Sequence, residues 1–182
     1  MSEIQKPTLL DSIHKTDKIT TVAVVSDTHS FLDPRIEKIV NESDYAVHAG
    51  DICGIEVIQA MKPKLGQVIA VAGNNDPYCH FSDTELPETV RFEIAGETIA
   101  VEHGHKHGMS QPSHESMRKA HPNAKLVVYG HTHKQVIDKE AIPWVINPGA
   151  AGKTRTHGGP SCLVIECSEN KEWDIHVHRF PE

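Results

Sequence analysis

Residues 19–29 read ITTVAVVSDTH, residues 44–51 DYAVHAGD, and residues 67–76 QVIAVAGNND. Each stretch is a short apolar, β-branched run that ends in a polar loop. Runs of this length and type form buried strands. Between the first two, Asp33-Pro34 opens a helix, with Asp as N-cap and Pro at N1. That helix runs to about Asn41 and puts Ile36, Ile39 and Val40 on one face. Between the last two, Gly54 to Lys62 reads as helical and stops before Pro63. A β-α-β-α-β order implies parallel strands joined by right-handed crossovers.

Downstream the pattern changes. Thr89 to Ala95 and Glu97 to Glu102 read as a hairpin around an Ala-Gly turn. Pro112 to Ala120 reads as a helix and Lys125 to Tyr129 as a buried strand. Gln135 to Asp138, Trp144 to Ile146, Ser161 to Cys167 and Trp173 to Arg179 are further β segments. A parallel first half and a more antiparallel second half predict an α/β fold of two packed sheets with helices outside. Residues 1–18 are polar and read as an N-terminal arm; residues 19–182 read as a single domain. There is no internal repeat.

Composition narrows the function. The 182 residues carry a net charge of −7, which argues against a protein that coats duplex nucleic acid. No apolar run approaches the roughly 20 residues that a membrane span needs. The N-terminus lacks the apolar segment of a signal peptide. Cys53, Cys79, Cys162 and Cys167 form no CxxC pair and read as reduced thiols, mostly packed as small hydrophobes, which suits the cytoplasm. Histidine is the outlier at 14 residues, seven of them between His103 and His133. It is the commonest transition-metal side-chain ligand.

Ligand-type residues follow the strands. Asp27 and His29 follow the first, Asp51 the second, and Asn74 the third. His103 follows the hairpin and His131 and His133 follow KLVVY. In open α/β sheets ligands bind at the carboxyl ends of parallel strands, so these seven residues can converge. Asp27 with His29, and His131 with His133, have the two-residue spacing that lets both side chains face one ion. Asp51 has two oxygens and can bridge two ions. Mixed imidazole and carboxylate donors suit Mn, Fe, Zn, Co or Ni, with Mn placed first, rather than Ca or Mg. Singly, each such pair is weak evidence; five at five strand ends are not. His14, His80, His114, His121, His157, His176 and His178 fall outside the pattern and read as solvent or packing residues, while His107 stays open.

The ordered series DTH, GD, GNND, HGH and GHTH resembles the calcineurin-like metallophosphoesterase family. With Asn147-Pro148-Gly149-Ala150 after a strand, it is similar to the small bacterial and archaeal phosphodiesterase subgroup (YfcE-like). The resemblance runs from about Thr20 to the C-terminus. It implies a two-sheet αββα sandwich. It also implies one ion on Asp27, His29, Asp51 and His133, and a second on Asp51, Asn74, His103 and His131. The activity implied is hydrolysis of a small phosphate ester, most simply a diester, by a hydroxide shared between the two ions.

Two features depart from the larger family or fall outside the resemblance: Asn75, and the arm before Thr20, which carries no assigned function. Asn75 stands where many members carry a His that assists the leaving group, and Asn supplies no proton at neutral pH. That leaves His105 as the candidate acid, with water next, and Asn75 as a substrate contact. Lys153 and Arg155 after NPGA read either as phosphate contacts or as a solvated loop. The rival reading is a non-catalytic metal-binding scaffold of the same fold, since fold does not fix function. A metallo-β-lactamase reading of HGHKH fails because position 106 is Lys. Substrate identity and any homo-oligomer are left open.

Overall fold

The computed structural model describes residues 18–79 and 86–182. Residues 1–17 of the proposed arm, His14 among them, and His80 lie outside these residues. Among the described residues, ten strands and three helices follow in this order: β1 (Thr20–Val25), α1 (Pro34–Glu42), β2 (Tyr45–His48), α2 (Ile55–Ala60), β3 (Val68–Ala70), β4 (Thr89–Ile94), β5 (Glu97–Glu102), α3 (His114–Ala120), β6 (Leu126–Val128), β7 (Gln135–Asp138), β8 (Trp144–Pro148), β9 (Ser161–Cys167) and β10 (Asp174–Arg179). Short 3₁₀ turns cover Asp76–Tyr78 and His105–His107. Asp33 caps α1 by accepting the Arg35 N–H, and Ser113 caps α3 by accepting the Ser116 N–H.

Two five-stranded sheets form, ordered β10-β9-β1-β2-β3 and β4-β5-β6-β8-β7. Strand β1 explains why they stack. Val22 and Val24 face the second sheet and pack with Ile99, Val101, Leu126, Val128 and Ile146. Ala23 and Val25 face the other way, onto Ile36 and Val40 of α1 and Val57 of α2. On the far side of the second sheet, Ala100, Val127 and Val145 pack on Met117 of α3. Helix, sheet, sheet, helix is the αββα sandwich expected from the sequence. Four consecutive residues at 0% exposure (Val22 to Val25) are what a strand buried on both faces requires.

One expectation is corrected. The parallel first half and the more antiparallel second half are both present, but they do not make one sheet each; each sheet is mixed. Strands β5, β6 and β8 are parallel to one another in the second sheet. The C-terminal strands β9 and β10 return to the first sheet, β9 antiparallel to β1 with Ala23 opposite Val164. Each sheet thereby holds three adjacent parallel strands, β1-β2-β3 and β5-β6-β8, and the loops after β1, β2, β3, β5 and β6 converge. Among the described residues no helix is long and apolar enough to cross a membrane.

Candidate metal centre

All seven candidate ligands are brought together where those loops converge. Asp27 Oδ1 lies 3.4 Å from His133 Nε2 and 3.9 Å from His103 Nε2. Asp51 Oδ2 lies 3.4 Å from His103 Nε2 and 3.9 Å from His29 Nε2. His29 Nε2 and His133 Nε2 face each other at 3.2 Å. Asn74 Oδ1 lies 2.9 Å from His131 Nδ1 and 3.2 Å from His103 Nε2. Asp27, Asp51, His103 and His133 are each about 1% exposed or less.

The backbone aims these groups. His103 Nδ1 donates to the Ala49 carbonyl at 2.7 Å, His133 Nδ1 to Thr154 at 2.7 Å, and His131 Nε2 to Met109 at 2.6 Å. Each bond assigns the proton to the outer nitrogen and turns the other nitrogen inward. Five of the seven, Asp27, His29, Asp51, His131 and His133, hold φ between +45° and +68°. L-residues enter this left-handed region only under local constraint, and such residues gather at functional sites. Gly73 is required by close approach, because a Cβ there would run into the Asp51 carboxylate.

This donor set fits cations. Burial pushes the Asp27 carboxyl up to about 7, against the pull of His103 and Ser26. Its Oδ2 accepts from Ser26 Oγ at 2.7 Å, while Oδ1 is buried with no hydrogen-bond partner. Burial also lowers His29, and it lowers His133 to about 4, with Arg155 adding to both effects. Two neutral imidazole nitrogens thus point at each other beside an orphaned carboxylate oxygen. Burial works against charge on Asp51 as well, but His103 and Asn75 hold its carboxyl well below the ordinary range. His103 moves the other way: against burial, Asp51 and Asp27 raise it. A proton on His103, Arg155 Nη2 at 3.0 Å from His133 Nε2, and Asn75 Nδ2 at 2.6 Å from Asp51 Oδ2 stand where cations would satisfy the same atoms.

The remaining predicted residues are placed as follows. Asn75 and Arg155 line a cleft of about 1130 Å³ that opens from Asp51, Asn74 and His131. Lys153 is exposed and lies over the Phe31 ring at 3.8 Å, outside the residues that line the cleft. The His105 ring is 5.6 Å from His103 and 6.1 Å from His131, with Nδ1 buried and unpartnered. Burial and then His103 hold His105 below the usual histidine range.

Three residues play parts that the sequence did not reveal. Asp76 accepts four backbone N–H groups: Ile52 and Cys53 on Oδ1 at 2.8 and 2.9 Å, Asp51 and Gly73 on Oδ2 at 2.9 and 2.6 Å. It ties the β2 loop to the β3 loop. The signal was present, since an acid directly after a Gly-Asn-Asn turn sits among converging amides. His48 is fully buried and neutral, pushed down to about 3 by burial. It accepts the Gly50 N–H and lies 2.9 Å from Thr28 Oγ1, joining the β1 and β2 loops. His114, read above as a solvent or packing residue, instead lines the cleft between Asp138 at 2.7 Å and the Tyr129 hydroxyl at 3.0 Å. His121 does pack, buried against Glu102. His107 lies 2.7 Å from Glu102 and 2.7 Å from Ser116 of α3.

Over 169 residues the chain is 28% identical to "Phosphodiesterase MJ0936" of Methanocaldococcus jannaschii, covering 84% of this chain and 95% of that protein. Vacuolar Protein Sorting 29 from Cryptosporidium parvum has a similar fold, with TM-score 0.73 at 18% identity, over 91% of this chain and 100% of the other. A structure described as a novel archaeal phosphodiesterase superposes with TM-score 0.62 at 22% identity, over 87% of this chain and all of that one. The sequence profile of the calcineurin-like phosphoesterase superfamily domain matches residues 21–170, nearly all of the two-sheet core, and the chain belongs to that superfamily.

Proposed function

We propose that the chain is a phosphodiesterase that works with two divalent transition-metal ions, manganese first among them. Asp27, His29, Asp51 and His133 would hold one, and Asp51, Asn74, His103 and His131 the other. The observation that carries this reading is the inward-facing set of ligand-type atoms, in which the orphaned Asp27 Oδ1 lies beside the facing His29 and His133 nitrogens. When bound, such ions neutralise phosphoryl oxygens and lower the pKa of a water.

The chain's own groups do the rest. Ser26 fixes one Asp27 oxygen and leaves the other to the site. The Ala49, Met109 and Thr154 carbonyls hold three imidazoles in the tautomer that presents a lone pair. Asn75 and Arg155, now resting on Asp51 and His133, are donors at the cleft wall that turn to phosphoryl oxygens. Positioned donors that meet charge developing in the transition state are the largest part of such catalysis. With no acid at position 75, esters whose leaving group needs no proton are favoured. Four unpaired thiols suit a reducing, cytoplasmic setting.

The similarity to Vacuolar Protein Sorting 29 supports a second reading, a metal-binding scaffold. One screen separates them. Metal-stripped chain is assayed on aryl phosphate mono- and diesters with added Mn, Zn, Co, Ni or Fe. Diester turnover restored by metal and abolished by chelator is expected. Metal uptake without turnover on any ester would overturn the enzymatic reading.

A further inference from the structure

Two thiols lie outside the ligand set but inside its frame. Cys53 follows Asp51 by two residues and Cys79 follows Asn74 by five. Their sulfurs and a carboxylate oxygen of Asp76 all lie within 4.8 Å of one another. This trio is not a third metal site. A carboxylate has about four lone-pair positions, and Asp76 commits all four to backbone N–H groups. What remains is a dithiol, and Asp76 anchors both halves. Its Oδ1 accepts the Cys53 N–H at 2.9 Å and its carbonyl accepts the Cys79 N–H at 3.0 Å. Both cysteines are half-buried and so within reach of a small reagent, whereas Cys162 and Cys167 are 0% exposed.

We propose that Cys53 and Cys79 are an oxidisable pair that closes to a disulfide by exchange with a low-molecular-weight disulfide. A disulfide bond measures about 2.05 Å, so the sulfurs must close by at most about 2.8 Å from their 4.8 Å limit. One staggered χ1 change moves a sulfur by about 3 Å. In the first step a protein thiolate attacks the small disulfide, giving a mixed disulfide and one small thiol. The second protein thiolate then attacks the mixed disulfide, forming the intramolecular bond and releasing the second small thiol. Two protein thiols are oxidised, one small disulfide is reduced, and the two protons pass to the released thiols. The exchange is read at equilibrium.

Closure also reaches the candidate ligands. Cys53 Sγ lies 3.9 Å from His29 Nδ1 and leaves that nitrogen on moving toward Cys79. The new bond ties the loop carrying Asp51 to the loop carrying Asn74. Loss of a partner behind a ligand typically costs 10–100-fold in metal affinity, so the oxidised chain holds manganese about tenfold more weakly. This second step rests on the reading of the site given above; disulfide formation does not.

The test uses the full chain, metal-free, equilibrated in glutathione buffers from reducing to oxidising, then acid-quenched, alkylated and mapped by mass spectrometry. The expected result is joint loss of two alkylatable thiols and a linked peptide pair carrying Cys53 and Cys79. Cys162 and Cys167 stay alkylatable after unfolding. Cys53→Ser and Cys79→Ser should each leave one glutathione adduct on the surviving thiol. Two separate adducts in the wild type, or two free thiols in the most oxidising buffer, overturn the proposal. Free Mn²⁺ read by electron paramagnetic resonance then compares oxidised with reduced wild type, since manganese does not compete for thiols. Equal affinity with the disulfide formed would overturn its link to the site while leaving the thiol pair standing.

Discussion

Replacing Asp76 by Asn tests the frame of the site without touching a candidate ligand. The two carboxylate oxygens each accept two backbone N–H groups, from residues 52 and 53 and from residues 51 and 73. Asn keeps one oxygen. Whichever way its amide turns, an NH₂ faces two N–H groups that have lost their acceptor. Asp76 is 5% exposed and Ile52 0%, so water does not readily replace it. A buried donor left unsatisfied costs about 1–3 kcal/mol, and two cost about 2–6 kcal/mol. Against a total stability of about 5–15 kcal/mol this is a large fraction. A loss of about 4 kcal/mol in a chain of this length lowers Tm by about 8–16 °C. The assay is urea and thermal unfolding of the metal-free protein, followed by manganese titration. The expected outcome is a lower midpoint at unchanged m value, and weaker metal binding because the Asp51 loop is no longer held. Asp76→Ala, which strands all four N–H groups, should fail to fold. An Asp76→Asn protein with wild-type midpoint and wild-type metal affinity would refute the role assigned to this carboxylate.

Three further outcomes are expected. Asp51→Asn should lower diester turnover more than a change at any other candidate ligand, as the only one shared by both ions; kcat/KM across the seven single variants checks this, and a greater loss at His29→Ala would remove the bridging assignment. Asn75→His should raise kcat/KM most for esters with poor leaving groups, by up to the 10²–10⁴-fold of a positioned acid, and His105→Ala should lower it for the same esters; equal slopes against leaving-group pKa in all three proteins would show that neither position governs protonation. His48, held neutral at a pKa of about 3, should make the metal-free protein lose stability as pH falls. Its folded pKa is depressed below the unfolded value of about 6.5, so the contribution is complete above that pH. It falls at about 1.4 kcal/mol per pH unit as the unfolded chain takes up the proton. Urea midpoints between about pH 7 and about pH 5 should fall less steeply for His48→Gln than for wild type, and parallel curves would argue against a neutral, buried imidazole.

Most elements were legible because their signals are local. Asp33-Pro34 opens α1 through its own side chain and ring, and β1 reads from four consecutive buried aliphatics. The convergence of the DTH, GD, GNND, HGH and GHTH loops was legible too, because each follows an apolar strand. What stayed hidden is long-range. Nothing in SCLVIEC says that it pairs with TTVAVV some 140 residues earlier rather than with β8. Apolar alternation encodes a buried face, not a partner. Asp76 was hidden for a similar reason: three of its four N–H donors come from residues 51–53, and a carboxylate beside two asparagines looks like one more ligand. His114 required the register of β7, which brings Asp138 beneath it.

The left-handed backbone at Asp27, His29, Asp51, His131 and His133 bears on how such a chain can evolve. Non-glycine residues in sparsely populated backbone regions cost of order 1–3 kcal/mol each, less for Asp. Bound ions would offset that cost by stabilising the folded state by mass action. A lineage that ceases to use the ions keeps the strain and loses the compensation. Exchange of His29 or His131 for Asn or Gly then relaxes the turn and makes the empty fold firmer. Abandoning chemistry on this frame runs downhill in stability, one loop at a time, while regaining it requires several unfavourable exchanges before an ion can bind.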